Sequence, residues 1–128
     1  MEKIAVYYTF KIDKPNSCAD ELVKLANYCK ENNYECCLYM DIVKSRKITT
    51  ERNSLIRLKN DIERENFSKI IITSLTNISR DTNFNLEFIS LAEEKGCQII
   101  SMDKFDPHHY KSFIDNILKK LEEEKESE

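Results

Sequence analysis

The sequence predicts an α/β fold, a three-layer domain in which helices cover both faces of a mainly parallel sheet. Apolar, β-rich runs alternate with helical patterns along all 128 residues, and no linker interrupts them. Such alternation is typical of parallel sheets, whose crossover helices lie on both faces. The run Ile4–Phe10 is also largely apolar, as strands covered on both faces are, and Lys69–Ser74 contains the apolar run Ile70–Ile72.

The first helix and the second strand follow the first strand directly. Pro15-Asn16-Ser17 indicates a turn, and Ser17 is the predicted N-cap of the helix. The predicted inward face of this helix has helical spacing and consists of Leu22, Leu25, Ala26 and Cys29. Glu31-Asn32-Asn33 ends the helix, and the second strand is predicted over Tyr34–Asp41.

The rest of the chain repeats the alternation. The polar, basic run Ile42–Thr50 is a predicted loop, and Thr49 or Thr50 is expected to start a helix that turns Leu55, Leu58 and Ile62 inward. The third strand is followed by a helix over roughly Asn83–Glu94, with Gly96 as a left-handed C-cap. Later elements are a strand over Cys97–Met102, a helix from Pro107 to Leu121 and a frayed tail, Glu122–Glu128.

Charge and composition exclude several classes of function. A formal net charge of −3 argues against a domain that grips DNA unaided, because nonspecific affinity comes from Lys and Arg neutralising phosphates. The apolar runs are too short to span a bilayer and no signal peptide begins the chain, so we expect no membrane association and a cytoplasmic location. A single glycine excludes a glycine-rich phosphate loop.

The cysteines favour reduced thiols. Their number is odd and no Cys-x-x-Cys spacing repeats, which argues against a disulfide framework and a zinc site. Cys36 and Cys37 are neighbours on a predicted strand and should point to opposite faces, while Cys29 and Cys97 are expected in the core. We therefore predict neither a metal nor a cofactor.

Two segments carry a resemblance to a known family. The third strand runs into Leu75-Thr76-Asn77-Ile78-Ser79-Arg80-Asp81, and the chain opens with Ile4-Ala5-Val6-Tyr7-Tyr8-Thr9-Phe10-Lys11-Ile12-Asp13. These segments resemble the Leu-Asp-Arg-Leu-Ser-Arg-Asp and Tyr-x-Arg-x-Ser-Thr-Asp motifs in the catalytic domain of serine recombinases, the resolvase/invertase family. Arg52-Asn53-Ser54-Leu55 is similar to its Arg-Pro-x-Leu signature. The resemblance implies a flavodoxin-like strand order with the first strand central, in a resolvase-like body of residues 1–106. Residues 107–128 would be its C-terminal amphipathic helix and acidic tail.

Position by position, the resemblance implies a degenerate active site. A serine recombinase attacks a DNA phosphodiester with a serine hydroxyl, and arginines stabilise the charge on the phosphoryl oxygens. Lys11 stands at the nucleophile position, Thr9 and Asn77 stand at two arginine positions, and Thr76 replaces an aspartate. No catalytic residue set is therefore intact, and the resemblance implies a site without catalytic activity.

Arg52 and Arg80 match arginine positions of the resembled motifs. We expect them to form a remnant phosphate- or anion-binding site at the edge of the sheet. Ser79-Arg80-Asp81 suits a helix N-cap equally well, and Lys11 beside Asp13 suits an ordinary loop charge better than a catalytic role. His108 and His109 point in different directions on a helix, so solvent exposure is predicted rather than a metal pair.

Two functions from different classes remain open. The first is a catalytically inactive recombinase relative that acts by protein–protein interaction, with itself or with an active recombinase, and whose contact with DNA is weak or indirect. The alternative is an active strand-exchange or nicking recombinase with an unorthodox nucleophile; a receiver or small-ligand domain ranks third, because the acidic pair of a receiver is missing.

The last helix predicts a homodimer. Its apolar residues recur at helical spacing and form one continuous stripe. The stripe consists of Tyr110, Phe113, Ile114, Ile117, Leu118 and Leu121. In the resembled family the terminal helix pairs subunits, so we expect self-association through this stripe.

Overall fold

A computed structural model describes residues 1–44 and 52–126 of the chain. Within them one sheet contains four strands in the order β2-β1-β3-β4, and all three pairings are parallel. The strands are β1 (Glu2–Lys11), β2 (Tyr34–Val43), β3 (Lys69–Ile72) and β4 (Gln98–Ser101). The predicted α/β fold with a central first strand is confirmed.

Helices connect the strands and cover both faces of the sheet. They are α1 (Pro15–Glu31), α2 (Asn53–Arg64), α3 (Thr82–Glu94) and α4 (Pro107–Glu126), with a short 3₁₀ helix at Leu75–Asn77. Side chains alternate between the two faces of a strand. On β1, Val6 and Tyr8 therefore pack with α1, whereas Ala5 and Tyr7 pack with the core beneath α2 and α3.

The apolar patterns of α2 and the end of α3 are confirmed. Leu55, Leu58 and Ile62 are all buried on the inner face of α2. Gly96 has φ of 68° just after α3, a left-handed conformation that glycine adopts without the steric cost of a Cβ.

The start of α1 differs from the prediction. The helix begins at Pro15, so Ser17 lies in its first turn, and the N-cap position is Lys14, which makes no capping bond with its side chain. Proline suits the first helical position because its φ is already helical and its missing N–H would be unpaired there. Ala26 is exposed rather than inward, and Cys18 takes part in the core instead.

The ends of other elements also differ from the predictions, most clearly those of β2 and α4. β2 continues to Val43, because its parallel ladder with β1 runs to the end of both strands, at Lys11 and Val43. The supposedly frayed residues 122–126 are helical in α4. Residues 45–50 of the predicted loop, which include the predicted helix start at Thr49 or Thr50, lie outside the described residues.

Candidate functional site at the carboxyl edge of the sheet

The ends of β1 and β3 bring the residues at the motif positions to one edge of the sheet. In open parallel sheets this carboxyl edge is where ligands bind. Thr9 is buried there, and its hydroxyl donates to the Asn77 carbonyl at 3.0 Å. Strand β1 is thereby joined directly to the loop after β3.

Arg52, at the start of α2, is bonded to the protein itself. Its guanidinium donates to the carbonyl oxygens of Ile78 and of Asn77, the latter at 2.6 Å, and to the Thr9 hydroxyl at 3.2 Å. It also lies 5.9 Å from the centre of the Tyr7 ring. Because these bonds use much of the donor capacity of the guanidinium, Arg52 acts as a brace between α2 and the loop.

Asp41 holds the start of α2, the helix that carries Arg52. The sequence analysis did not assign Asp41 to the site. One carboxylate oxygen accepts from the Ser54 N–H at 2.9 Å; the other accepts from the Leu55 N–H at 3.1 Å and the Tyr7 hydroxyl at 2.7 Å. A carboxylate on the first amides of a helix satisfies them and favours the helix dipole. Asp41 thus caps α2 from another element. The signal available in the sequence was an acidic residue at the end of a predicted strand.

The Tyr7 phenol is locked in its neutral form by this environment. Burial raises the pKa of Tyr7 well above its usual value, and the bond to Asp41 raises it further, while the Arg52 charge opposes the shift. Ionising Tyr7 would place a second negative charge beside Asp41. The Tyr7–Asp41 pair is therefore a structural element of the edge.

The loop that carries Ser79, Arg80 and Asp81 forms a helix cap. The Asp81 carboxylate accepts from the Asn83 N–H at 2.9 Å and the Phe84 N–H at 3.4 Å, and the Ser79 hydroxyl accepts from the Asp81 N–H. Arg80 is exposed and has no hydrogen bond or ion pair within residues 1–44 and 52–126. The N-cap role is present in the geometry, and anion binding by Arg80 stays a prediction.

Lys11 is the last residue of β1. Its backbone N–H donates to the Cys18 sulfur at 3.3 Å, and its side chain is half-buried. Strand alternation places it on the same face as Thr9 and hence as Arg52. Within the described ranges its ammonium group has neither a hydrogen bond nor an ion pair. Among the described residues, this edge therefore has a cation without a partner at the position where the resembled motif has a hydroxyl.

The cysteines lie apart from this edge except for Cys18. Cys29 and Cys97 are buried, and burial raises the pKa of Cys97 to about 11. Cys36 pairs with Ile4 and Cys37 with Ala5, on opposite faces as predicted. No group of three or more His, Cys, Asp or Glu side chains that could hold a metal occurs among the described residues.

The two histidines differ in their exposure, and the prediction of solvent exposure was wrong for His108. His109 is exposed, but His108 is half-buried and both of its ring nitrogens have partners.

Within residues 1–44 and 52–126, no helix is long and apolar enough to cross a membrane.

Comparison with known families gives one match that covers most of the chain. The model of the family described as "Resolvase, N terminal domain" matches residues 9–128. The chain belongs to this family. The matched range includes Thr9, Lys11 and α4, so the resemblance drawn from two motifs extends to the last helix. No curated protein matches the chain significantly.

Solved structures show the same fold. The N-terminal catalytic domain of TP901-1 integrase is 22% identical with a TM-score of 0.70, and the match covers 98% of both chains. A resolvase family site-specific recombinase from Streptococcus pneumoniae is 22% identical with a TM-score of 0.69, covering 97% of this chain and 89% of that one. The catalytic domain of ISC1926 TnpA, an IS607-like serine recombinase, is 17% identical with a TM-score of 0.64, covering 77% and 67%. The resolvase catalytic-domain fold is thus shared at low identity.

Proposed function

We propose that this resolvase-family domain is catalytically inactive and acts by protein–protein interaction, as a homodimer through α4. The observation that carries the proposal is the residue at the nucleophile position. Lys11 replaces the serine of the motif, and loss of the nucleophile alone costs roughly a million-fold in rate in a well-studied hydrolase. A lysine attacks only as the neutral amine, and no described side chain accepts a proton from Lys11.

The arginines around the motif support the same conclusion. Thr9 and Asn77 stand where two arginines are expected, and neither can replace a bidentate guanidinium. Arg52 survives, but its donors are bonded to the loop carbonyls and to Thr9. Among the motif positions, the groups that could meet phosphoryl charge at this edge are therefore Lys11, Arg80 and the remaining donors of Arg52.

The surface of α4 supports the interaction. Along its stripe Phe113, Ile117, Leu118 and Leu121 are between 39% and 57% exposed, and Pro107 is the fully buried residue of the helix. The helix packs on α3 and β4 near its start. A contiguous exposed apolar face is typical of an interface, and a two-fold axis lets one face serve both subunits.

Covalent DNA chemistry tests the inactive site. Purified protein and supercoiled plasmid are incubated with an active serine recombinase as the positive control in a parallel reaction. We expect neither nicked circles nor a protein–DNA adduct stable to detergent. An adduct mapped by mass spectrometry to any residue of the wild-type chain would refute the proposal and favour an active recombinase with an unorthodox nucleophile.

Sedimentation tests the interface. Ile117→Lys with Leu121→Lys places two charges in the stripe and should give a folded monomer, whereas the wild-type protein should sediment as a dimer at micromolar concentration. Ser112→Lys with Glu126→Gln changes the net charge equally at exposed positions off the stripe and should stay dimeric. Wild-type protein that is monomeric at high micromolar concentration would remove the case for a dimer, and an active recombinase as partner would become the next hypothesis.

A further inference from the structure

We infer that His108 is a proton-sensitive latch that holds α4 on the edge of the sheet. The His108 Nε2 atom accepts from the Ile99 backbone N–H at 2.8 Å. Its Nδ1 atom lies 2.9 Å from an Oε2 atom of Glu93. One imidazole therefore joins three elements: β4 through Ile99, α3 through Glu93, and its own helix.

The bond to Ile99 fixes the protonation state of the ring. A backbone N–H can only donate, so Nε2 must present its lone pair, and the proton of a neutral imidazole then lies on Nδ1. From Nδ1 it is donated to the Glu93 carboxylate. The same bond satisfies an amide of β4, which is an edge strand of the described sheet, where unpaired amides would otherwise be open to another strand.

Protonation has opposite effects on the two links. The imidazolium carries N–H groups on both nitrogens, so its Nε2–H would face the Ile99 N–H and that bond cannot persist. The link to Glu93 persists and becomes a charge-assisted hydrogen bond. A proton therefore breaks the hydrogen bond between α4 and β4 and keeps the one between α4 and α3.

Charged groups of both signs lie around the ring. The Glu93 carboxylate faces Nδ1, and the Lys111 ammonium lies 3.4 Å from Glu93 and 2.8 Å from Asp115. The Asp106 carboxylate accepts from the His108 and His109 backbone amides at the start of α4. Strand β4 contributes no titratable side chain. The Ile99 link requires a neutral ring whatever the balance of these charges, and imidazoles change charge between pH 5 and 8.

The latch lies where it can control the direction of α4. The first exposed residue of the apolar stripe, Phe113, lies five residues beyond His108, and the helix packs on the domain near its start. Loss of the Ile99 bond would remove one of the contacts that fix the direction of the stripe. This consequence for self-association rests on the proposed α4 interface, whereas the latch does not.

Amide hydrogen exchange tests the latch directly. Protection factors are measured by NMR at pH 7.5 and pH 5.0, since they correct for the intrinsic pH dependence of exchange. The Ile99 amide should lose about tenfold in protection at pH 5.0, as expected for one hydrogen bond, while Ile71 in the interior of the sheet should not change. Equal protection of Ile99 at both pH values would overturn the latch.

The two histidines of the chain supply a matched pair of variants. His108→Gln should abolish the pH dependence at Ile99, and His109→Gln should keep it. Dependence that persists in His108→Gln, or disappears in His109→Gln, would overturn the assignment. The test of the proposed interface is independent of this one. A protein that is monomeric but still loses protection of the Ile99 amide at pH 5.0 would support the latch and contradict only the dimer.

Discussion

Replacing Arg52 by alanine should destabilise the domain by about 2–3 kcal/mol. The guanidinium makes three hydrogen bonds at a partly buried site, and hydrogen bonds to charged groups contribute roughly 1.5–3 kcal/mol each when measured singly. The loss is smaller than their sum because the Asn77 carbonyl keeps its bond from Thr9. The Ile78 carbonyl, in a fully buried residue, would lose its bond from Arg52.

Urea unfolding followed by circular dichroism measures this change. Arg52→Lys should be intermediate, since an ammonium group lacks the planar fork that reaches two carbonyls. Arg80→Ala is the control, because Arg80 is exposed and without a described partner; it should stay within about 0.5 kcal/mol of wild type. A loss below about 1 kcal/mol for Arg52→Ala, or an equal loss for Arg80→Ala, would refute the brace.

Two further predictions concern the same edge. Burial and Asp41 raise the pKa of Tyr7, so the contribution of this residue to the free energy of unfolding is complete below about pH 10 and is lost as the pH rises further. Above that pH the free energy of unfolding should therefore fall less steeply in Tyr7→Phe than in the wild type, by up to about 1.4 kcal/mol per pH unit. Identical slopes in urea titrations from pH 9 to 11 would contradict this. Lys11→Ser should restore neither nicking nor adduct formation, because Thr9 and Asn77 stand where two of the arginines that would bind the phosphate are expected. An adduct at the substituted position of that variant would show that the serine alone was missing.

The elements of this fold were predictable because their signals are local. The continuous apolar run of β1 and the spacing of Leu55, Leu58 and Ile62 in α2 each report burial through a short stretch of chain. The ends were less predictable, because they depend on partners elsewhere. β2 extends to Val43 only because β1 is there to pair with it, and α1 begins at Pro15 although Ser17 is the better capping residue by composition.

For the candidate site, the sequence by itself determined which residues stand at the motif positions: Lys11, Thr9, Asn77, Arg52 and Arg80. Only the tertiary structure decided how they are used. It bonded Arg52 to carbonyl oxygens of the loop after β3, placed Asp41 under α2 and gave His108 two partners. The physical reason is that a polar side chain that becomes buried must find a partner, and its partner is chosen by the elements that packing brings within hydrogen-bond distance. Arg52 and Ile78 are 26 residues apart in the chain, and no local pattern carries that information.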